Sequence, residues 1–237
     1  MVNLSVNINK IATLRNARGG SLPNLVQFAK DCENYGAQGI TIHPRPDQRH
    51  ITTKDAYELA PVVTTEFNIE GYPDERYMKL IKDLKPAQAT LVPDPPGVLT
   101  SDNGWDIENN KDFLSTIILA LKKNGVRSSI FVNADIESIY LASEVKTDAI
   151  EFYTGPYADA FHVDKEKAVK PYVDAAELAN KLGLRINAGH DLNLENLNFF
   201  KTRVKHLSEV SIGHAIVTDA LYLGIKKTIT AYKACLI

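Results

Sequence analysis

Short runs of alternating apolar and polar residues recur along the whole chain. A period of two is typical of β-strands, because successive side chains of a strand point to opposite faces. Within residues 3–9, for example, Leu4, Val6 and Ile8 alternate with polar residues. The pattern predicts eight strands, over residues 3–9, 39–43, 66–70, 88–92, 127–133, 147–153, 184–189 and 209–213.

Amphipathic segments with a helical period separate these runs. The clearest cover residues 22–35, 107–124, 165–182 and 218–235, and a glycine follows each of the first three. Glycine directly after a helical pattern is a common helix end. Alternation of strand and helix predicts parallel strands, since each return crossover needs a helix.

Eight strand–helix units without a break in composition predict a closed α/β barrel. We expect residues 1–237 to form a single (β/α)₈ TIM-barrel domain. The alternative is an open doubly wound sheet, which usually carries a G-x-G-x-x-G motif after its first strand. No such motif follows residues 3–9.

Polar residues occupy one parity in most of the predicted strands. Thr41 and His43 alternate with isoleucines, and Glu151 stands between Ile150 and Phe152. In a barrel the apolar parity packs against the helices and the other parity faces the lumen. A β-sandwich with one solvated face would alternate in the same way, but the intervening helices argue against it. A polar lumen is costly to bury without partners, so we expect it to line a binding site that includes Glu151.

Composition and charge narrow the classes of partner. The 237 residues are 44% hydrophobic, which is enough for a large core, and the formal net charge is -2. No nucleic acid or membrane partner is predicted, and anion binding must be local. Cys32 and Cys235 lack metal-type spacing and are expected to be reduced thiols. Because no signal peptide or membrane span is recognisable, we expect a cytoplasmic protein.

Candidate acids and bases stand at the carboxyl ends of the strands, where barrel enzymes carry their chemistry. His43 and Glu70 end strands two and three, and His190 and His214 follow strands seven and eight. Histidine and glutamate there can exchange protons near neutral pH if their surroundings shift their pKa values. A single strand-end histidine is as often a structural residue, but the joint placement of these groups favours acid–base catalysis.

Two other barrel chemistries fit the sequence less well. A metal site is the sharper rival, because histidine and glutamate are also ligands. The chain has no H-x-H, however, and Arg45 between His43 and His50 would oppose a divalent cation. No metal site is therefore predicted. Schiff-base catalysis needs a desolvated lysine in the lumen, and strands two to eight carry none at an inward carboxyl-terminal position.

Two regions are suited to bind phosphate. Residues 212–215 (I-G-H-A) lead from strand eight into the last helix, where backbone N–H groups suit a phosphate dianion. The second region is basic and lies in the first two loops on the same predicted face. It comprises Arg15, Arg18, Arg45, Arg49 and His50.

Longer motifs are similar to those of a known family. They run in family order along the chain: N-I-N-K-I-A-T-L-R-N-A-R-G-G (7–20), G-I-T-I-H-P-R-P-D-Q-R-H-I (39–51), F-N-I-E (67–70), L-V-P (91–93), T-G-P-Y-A (154–158), N-A-G-H-D-L (187–192) and I-G-H-A-I (212–216). Together they closely resemble the pyridoxine 5'-phosphate synthases.

The resemblance implies a reaction and an assembly. Members of this family are (β/α)₈ barrels with additional short helices and are commonly octamers. They condense 1-deoxy-D-xylulose 5-phosphate with 3-amino-2-oxopropyl phosphate to pyridoxine 5'-phosphate, phosphate and water in vitamin B6 biosynthesis. This transferase-type, ring-closing condensation runs by acid–base catalysis and requires no metal or organic cofactor. The implied partners are these phosphorylated small molecules and further copies of the chain.

The resemblance also implies roles for individual residues. His43 and Glu70 match the proton acceptors, and His190 matches the proton donor. The matching substrate-binding positions are Asn7, Arg18, Gly213 and His214 for the aminoketone phosphate, and Arg45, His50 and Thr100 for the sugar phosphate.

This chain departs from many relatives at two places. Asn9-Lys10 stands where they have Asp-His, a sugar-phosphate contact, and Asp191 stands where they have glycine, beside the aminoketone site. Asn9, Lys10 and Asp191 are thus further substrate-binding candidates, and we expect Lys10 to take over the sugar-phosphate contact. The long connection 93–110 is predicted to order as a lid over the sugar phosphate, with Thr100 at the ligand.

Two other functions share some of these features. A triose-type phosphosugar isomerase has its own histidine, glutamate and strand-eight phosphate site, and it would turn over one substrate alone. A phosphate sensor on a degenerate barrel would not require His43, Glu70 and His190 together. The three residues together favour the synthase.

Overall fold

Eight parallel strands close into a barrel in chain order, with the last strand pairing with the first. The computed structural model describes residues 1–94 and 103–237. The strands are β1 Asn3–Asn7, β2 Gly39–Ile42, β3 Glu66–Gly71, β4 Gln88–Leu91, β5 Arg127–Val132, β6 Ala149–Phe152, β7 Arg185–Ala188 and β8 Leu207–Ile212. The predicted TIM barrel is confirmed.

Helices lie between the strands and follow the last one. They are α1 Asn9–Asn16, α2 Leu25–Asn34, α3 Thr53–Leu59, α4 Glu75–Leu84, α5 Lys111–Lys123, α6 Ile136–Glu144, α7 Gly155–Lys181, α8 Leu197–Arg203, α9 His214–Leu223 and α10 Ile225–Cys235. Side-chain caps fix the N-termini of α2, α4 and α6. Asn24, Asp74 and Asp135 each accept a hydrogen bond from the backbone N–H three residues later. None of the helices in the described ranges combines the length and apolar composition that a bilayer span requires.

The two strand parities separate as expected. Leu4, Val6 and Ile40 are fully buried and belong to the core between the barrel and its helices. The polar side chains point into the lumen and hydrogen-bond to one another. The Ser5 and Thr41 hydroxyls lie 2.7 Å apart, and Thr90 Oγ1 donates to Asn68 Oδ1 at 3.0 Å. These partners reduce the cost of burying polar groups.

The first strand is shorter than its sequence pattern. β1 ends at Asn7, and Asn9 and Lys10 belong to the first turn of α1 rather than to the strand. The backbone N–H of Asn9 donates to Asn7 Oδ1 at 3.0 Å. This local hydrogen bond competes with strand pairing, so the apparent strand parity of Asn9 is wrong.

Two helix predictions are also corrected. The segment 218–235 is two helices, because the chain turns at Gly224, whose φ of +76° belongs to the left-handed region. The segment 165–182 is the second part of α7, which begins at Gly155 and has a non-helical residue at Asp164. His162 lies in the first part of the same helix.

Candidate active site

The carboxyl ends of the strands open into a cavity of about 750 Å³, a volume suited to small metabolites. Most of the residues that the sequence singled out line this one cavity. They are Asn7, Asn9, Lys10, His43, Arg45, His50, Glu70, Glu151, His190, Asp191, Gly213 and His214.

Two asparagines connect the two candidate proton acceptors. His43 Nδ1 lies 3.7 Å from Glu70 Oε2, and Asn7 Nδ2 donates to the same carboxylate oxygen at 3.4 Å. Asn9 Oδ1 accepts a hydrogen bond from the backbone N–H of His43 at 2.9 Å. Asn9 therefore holds the end of β2, and its amide oxygen is engaged with protein.

Two histidines on the β2 side are held neutral. Burial lowers the pKa of His43 well below its usual value, and the positive charge of Arg45 lowers it further. Burial, followed by Arg45 and Arg49, lowers the pKa of His50 to about 4. His50 Nδ1 accepts a hydrogen bond from the backbone N–H of Ile51 at 2.9 Å, as a neutral imidazole can. At neutral pH both rings are therefore neutral, and the ring hydrogen of His50 lies on Nε2.

Two buried carboxyl groups share the lumen. Burial raises the pKa of Glu70 to about 7, an effect partly offset by the charges of His190 and Arg45. Burial raises the pKa of Glu151 well above its usual range, and the charge of Glu70 adds to this effect. Burial thus favours the protonated form of Glu151, whereas the pKa of Glu70 lies near neutral pH. A group whose pKa lies near the working pH is suited to accept and return protons.

His190 differs from the other cavity histidines. Burial lowers its pKa, but the hydrogen bond to Asp191 at 2.7 Å and the charge of that carboxylate outweigh burial, so the net shift is upward. The ring of Tyr153 stands edge-on at 5.7 Å between centroids. The cavity therefore brings an imidazole that favours its proton to the same space as two groups that can accept one.

Glycines shape the strand ends opposite these groups. A Cβ at Gly189 would lie 1.9 Å from the carbonyl oxygen of Ser211, and one at Gly213 would lie 3.1 Å from Asn7. α9 starts at His214, and no side chain of the described residues caps its N-terminus. Backbone N–H groups at such a terminus suit a phosphate.

The basic side of the cavity is only partly as expected. Arg45 Nη2 donates to Asp94 Oδ2 at 3.0 Å with both side chains buried, and Lys10 and Arg49 also line the cavity. Arg15 instead makes a two-pronged ion pair with Asp55 at 2.5 and 2.8 Å. Its assignment to the anion-binding region is wrong, because the guanidinium serves the first turn of α3.

One predicted binding residue of the described ranges, Arg18, is not brought into the cavity. Arg18 is exposed and does not line it. Thr100, with the rest of residues 95–102 of the proposed lid, lies outside the described residues. Asp94 is a residue that the sequence reading missed. It follows L-V-P at the end of β4. A carboxylate at the carboxyl end of a strand is the feature by which the sequence could have identified it.

Within residues 1–94 and 103–237, no group of three His, Cys, Asp or Glu side chains is arranged to hold a metal ion. Cys32 and Cys235 are both free thiols, and Cys32 is buried.

Acid–base groups and anion-suited regions at the carboxyl mouth of a (β/α)₈ barrel define a TIM-barrel enzyme of small phosphorylated molecules. Comparison with known proteins narrows this class. The chain belongs to the family described as pyridoxal phosphate biosynthesis protein PdxJ, whose model matches residues 4–237.

Curated relatives cover essentially the full chain. The pyridoxine 5'-phosphate synthase of Parabacteroides distasonis is 56% identical over 236 residues, which are 100% of this chain and 99% of the relative. That of Porphyromonas gingivalis is 56% identical over 233 residues, 98% of each chain. Among solved structures, the thiamine phosphate pyrophosphorylase of Pyrococcus furiosus has a TM-score of 0.64 at 12% identity, covering 99% of this chain and 95% of its own. At that identity only the fold is shared.

Proposed function

We propose that the chain condenses 1-deoxy-D-xylulose 5-phosphate with 3-amino-2-oxopropyl phosphate to pyridoxine 5'-phosphate, releasing phosphate and water. The observation that carries the proposal is the division of protonation states within one cavity. His43 is held neutral, Glu70 titrates near 7, and His190 favours its proton. A condensation that removes and delivers protons in turn needs both kinds of group in reach of one substrate.

The chemistry agrees with this inventory. The aminoketone brings its own amine, so an imine forms with the sugar ketone without an enzyme lysine. Enolisation then needs a base, for which Glu70 and His43 stand together at the ends of β2 and β3. Loss of hydroxyl groups needs an acid, for which His190 stands across the cavity. Burial favours the protonated form of Glu151, and in that form Glu151 is suited to donate a hydrogen bond to a developing negative charge.

Two phosphate groups match two regions of the cavity. The N-terminus of α9 at His214, next to Gly213 and Asn7, suits the aminoketone phosphate. Arg45 and His50 suit the sugar phosphate, with Lys10 on the same side. The Asp94 carboxylate holds the guanidinium of Arg45 in place through a buried hydrogen bond.

Assembly and location belong to the same proposal. We expect a homo-octamer in the cytoplasm, as the family resemblance implies. Large apolar side chains that stand exposed on the single chain support self-association, among them Leu221 and Tyr222 at 74% and 87% exposure. Light scattering on the purified protein measures the subunit number directly.

An omission experiment tests the reaction. The purified protein is incubated with both substrates, with each alone, and with neither, and pyridoxine 5'-phosphate is quantified by chromatography. We expect product only when both substrates are present. Consumption of one substrate alone, with formation of an isomer, would support the phosphosugar isomerase instead.

A further inference from the structure

The turn after β7 holds a carboxylate against the imidazole of His190. His190 Nδ1 lies 2.7 Å from Asp191 Oδ2, within hydrogen-bond distance. An ionised carboxylate can only accept a hydrogen bond, so Nδ1 carries the hydrogen. The contact therefore fixes which ring nitrogen is protonated when the imidazole is neutral.

The backbone of this turn is unusual at Asp191. Its φ of +66° lies in the left-handed region, which residues other than glycine rarely occupy. The carbonyl of Asp191 accepts a hydrogen bond from Asn196 Nδ2 at 3.2 Å, and the carbonyl of His190 accepts one from the Thr154 hydroxyl. The turn is thus fixed on both sides, and a backbone position suited to glycine carries a carboxylate that contacts an imidazole. Such outliers gather at functional sites.

The charges of the pair favour a protonated His190 and an ionised Asp191. The hydrogen bond from His190 lowers the pKa of Asp191, which keeps the carboxylate ionised. Burial opposes the proton on His190, but the Asp191 hydrogen bond and charge outweigh it. Among the described residues, the titratable groups that face the pair from other elements include Glu70 on β3, Asp94 after β4, Tyr153 after β6 and His214 on α9.

We propose that Asp191 is a positioning residue for His190, holding the imidazole through Nδ1 so that Nε2 delivers the proton to the substrate. The inference rests on the proposed function, in which His190 is the proton donor. As a hydroxyl departs, its C–O bond breaks with the electron pair, the oxygen takes the Nε2 proton, and water leaves. The ring then stays neutral with its Nδ1–H on Asp191. A carboxylate would repel a phosphate dianion, so Asp191 serves the imidazole rather than the phosphate.

Asp191→Asn tests the role in turnover. Asparagine also tolerates a positive φ but carries no charge. We expect kcat to fall on the order of tenfold or more, with KM for both substrates changed less than about twofold. The alkaline limb of the kcat profile, where His190 loses its proton, should move to lower pH, because the carboxylate that raised the pKa is gone.

Three further variants separate the carboxylate from the backbone. Asp191→Gly relieves the left-handed conformation and should lose kcat as Asp191→Asn does. Glu195→Gln removes a carboxylate 3.2 Å from the exposed His162 outside the cavity, and Lys146→Gly relieves a φ of +61° at the amino end of β6. Both of these controls should keep wild-type kcat. Full activity in Asp191→Gly would overturn the proposal.

Nitrogen NMR of the His190 ring gives a readout that needs no turnover. In the wild type without substrates, we expect the neutral ring to carry its hydrogen on Nδ1, and we expect the pKa of His190 to fall in Asp191→Asn. An unchanged titration and tautomer in that variant would overturn the proposal, and so would a raised KM with unchanged kcat. If the wild type formed no pyridoxine 5'-phosphate, the proposed function would fail, and the NMR result would still decide the pairing.

Discussion

At the scale of single residues, the surroundings decide which acid or base each group can be. His43 and His190 are the same residue type, yet burial beside Arg45 lowers the pKa of one, and the contact with Asp191 raises that of the other. Burial raises the pKa of both Glu70 and Glu151, but the charges of His190 and Arg45 lower that of Glu70, whereas the charge of Glu70 raises that of Glu151 further. Environments that push pKa values apart are how one site runs acid and base chemistry at one pH.

Glu70→Gln tests the base. Glutamine keeps the shape and the contact with Asn7 but cannot accept a proton, so we expect kcat to fall ~10²–10⁴-fold. Because the pKa of Glu70 is raised to about 7, its base form is present above that pH and is lost as the pH falls through it. The acid limb of the wild-type profile should therefore lie near pH 7 and disappear in the variant. Glu58→Gln, on an exposed helix surface, is the control, and wild-type activity in Glu70→Gln would remove Glu70 from the mechanism.

Lys10→Ala tests the departure at Asn9-Lys10. Lys10 is exposed at the cavity rim, so its contact with a phosphate is worth about 1 kcal/mol. We expect KM for 1-deoxy-D-xylulose 5-phosphate to rise about fivefold, with little effect on the aminoketone. Lys54→Ala, an exposed lysine away from the cavity, is the matched control. An unchanged KM for both substrates would make Lys10 a solvated surface residue.

The side chains on the strands were predicted more accurately than those in the loops. Glu70 and Glu151 line the cavity because a β-strand leaves a side chain only two faces. Arg15 was placed by its position in the first loop, and Arg18 by that position and by the family resemblance, but a loop or helix can turn such side chains away. Asp94 escaped notice because its contact with Arg45 joins β4 to β2, which no local pattern records.

At the scale of elements, the ends of strands and helices needed tertiary information. The alternation in residues 3–9 continues past the point where β1 stops, because Asn7 bonds the backbone of Asn9 and α1 begins. The helical period of residues 218–235 likewise runs through Gly224, where the backbone turns. Periodicity identified the elements themselves, since each buries one face against the barrel.

Gly189→Ala tests the close contact between β7 and β8. A methyl group there would meet the Ser211 carbonyl at 1.9 Å, and backbone cannot yield as a flexible side chain can. We expect a loss of ~1–3 kcal/mol in the free energy of unfolding, together with reduced kcat, since His190 is the next residue. Gly20→Ala, with no atom near its added Cβ, should unfold like the wild type. Equal denaturant midpoints for Gly189→Ala and the wild type would show that the turn adapts.

At the scale of the whole molecule, the lumen carries ionisable groups from one end to the other. At the amino end Glu66 pairs with Arg127 and Arg185, and Glu209 lies buried beside them. Burial, and then the charge of Glu66, raises the pKa of Glu209 to about 8, although the two arginines oppose this. Burial therefore favours the protonated form of Glu209 at neutral pH.

Glu209→Gln tests the effect of this proton on stability. A carboxyl whose folded-state pKa is raised contributes stability below its unfolded value, near 4.5, and loses it as the pH rises through about 8. Glutamine does not titrate, so its advantage over the wild type should grow from pH 5 to pH 8, by on the order of 1–3 kcal/mol. Urea unfolding at the two pH values measures it. A pH-independent difference would mean that Glu209 is ionised in the folded protein at neutral pH.

Phosphorus NMR of the complete reaction tests the central claim, that one cavity joins two phosphorylated substrates. With both present, the two substrate phosphate-ester signals should decline together. A single new ester signal and inorganic phosphate should replace them in equal amounts. Decline of one ester in the absence of the other substrate, or no phosphate release from the mixture, would contradict the account.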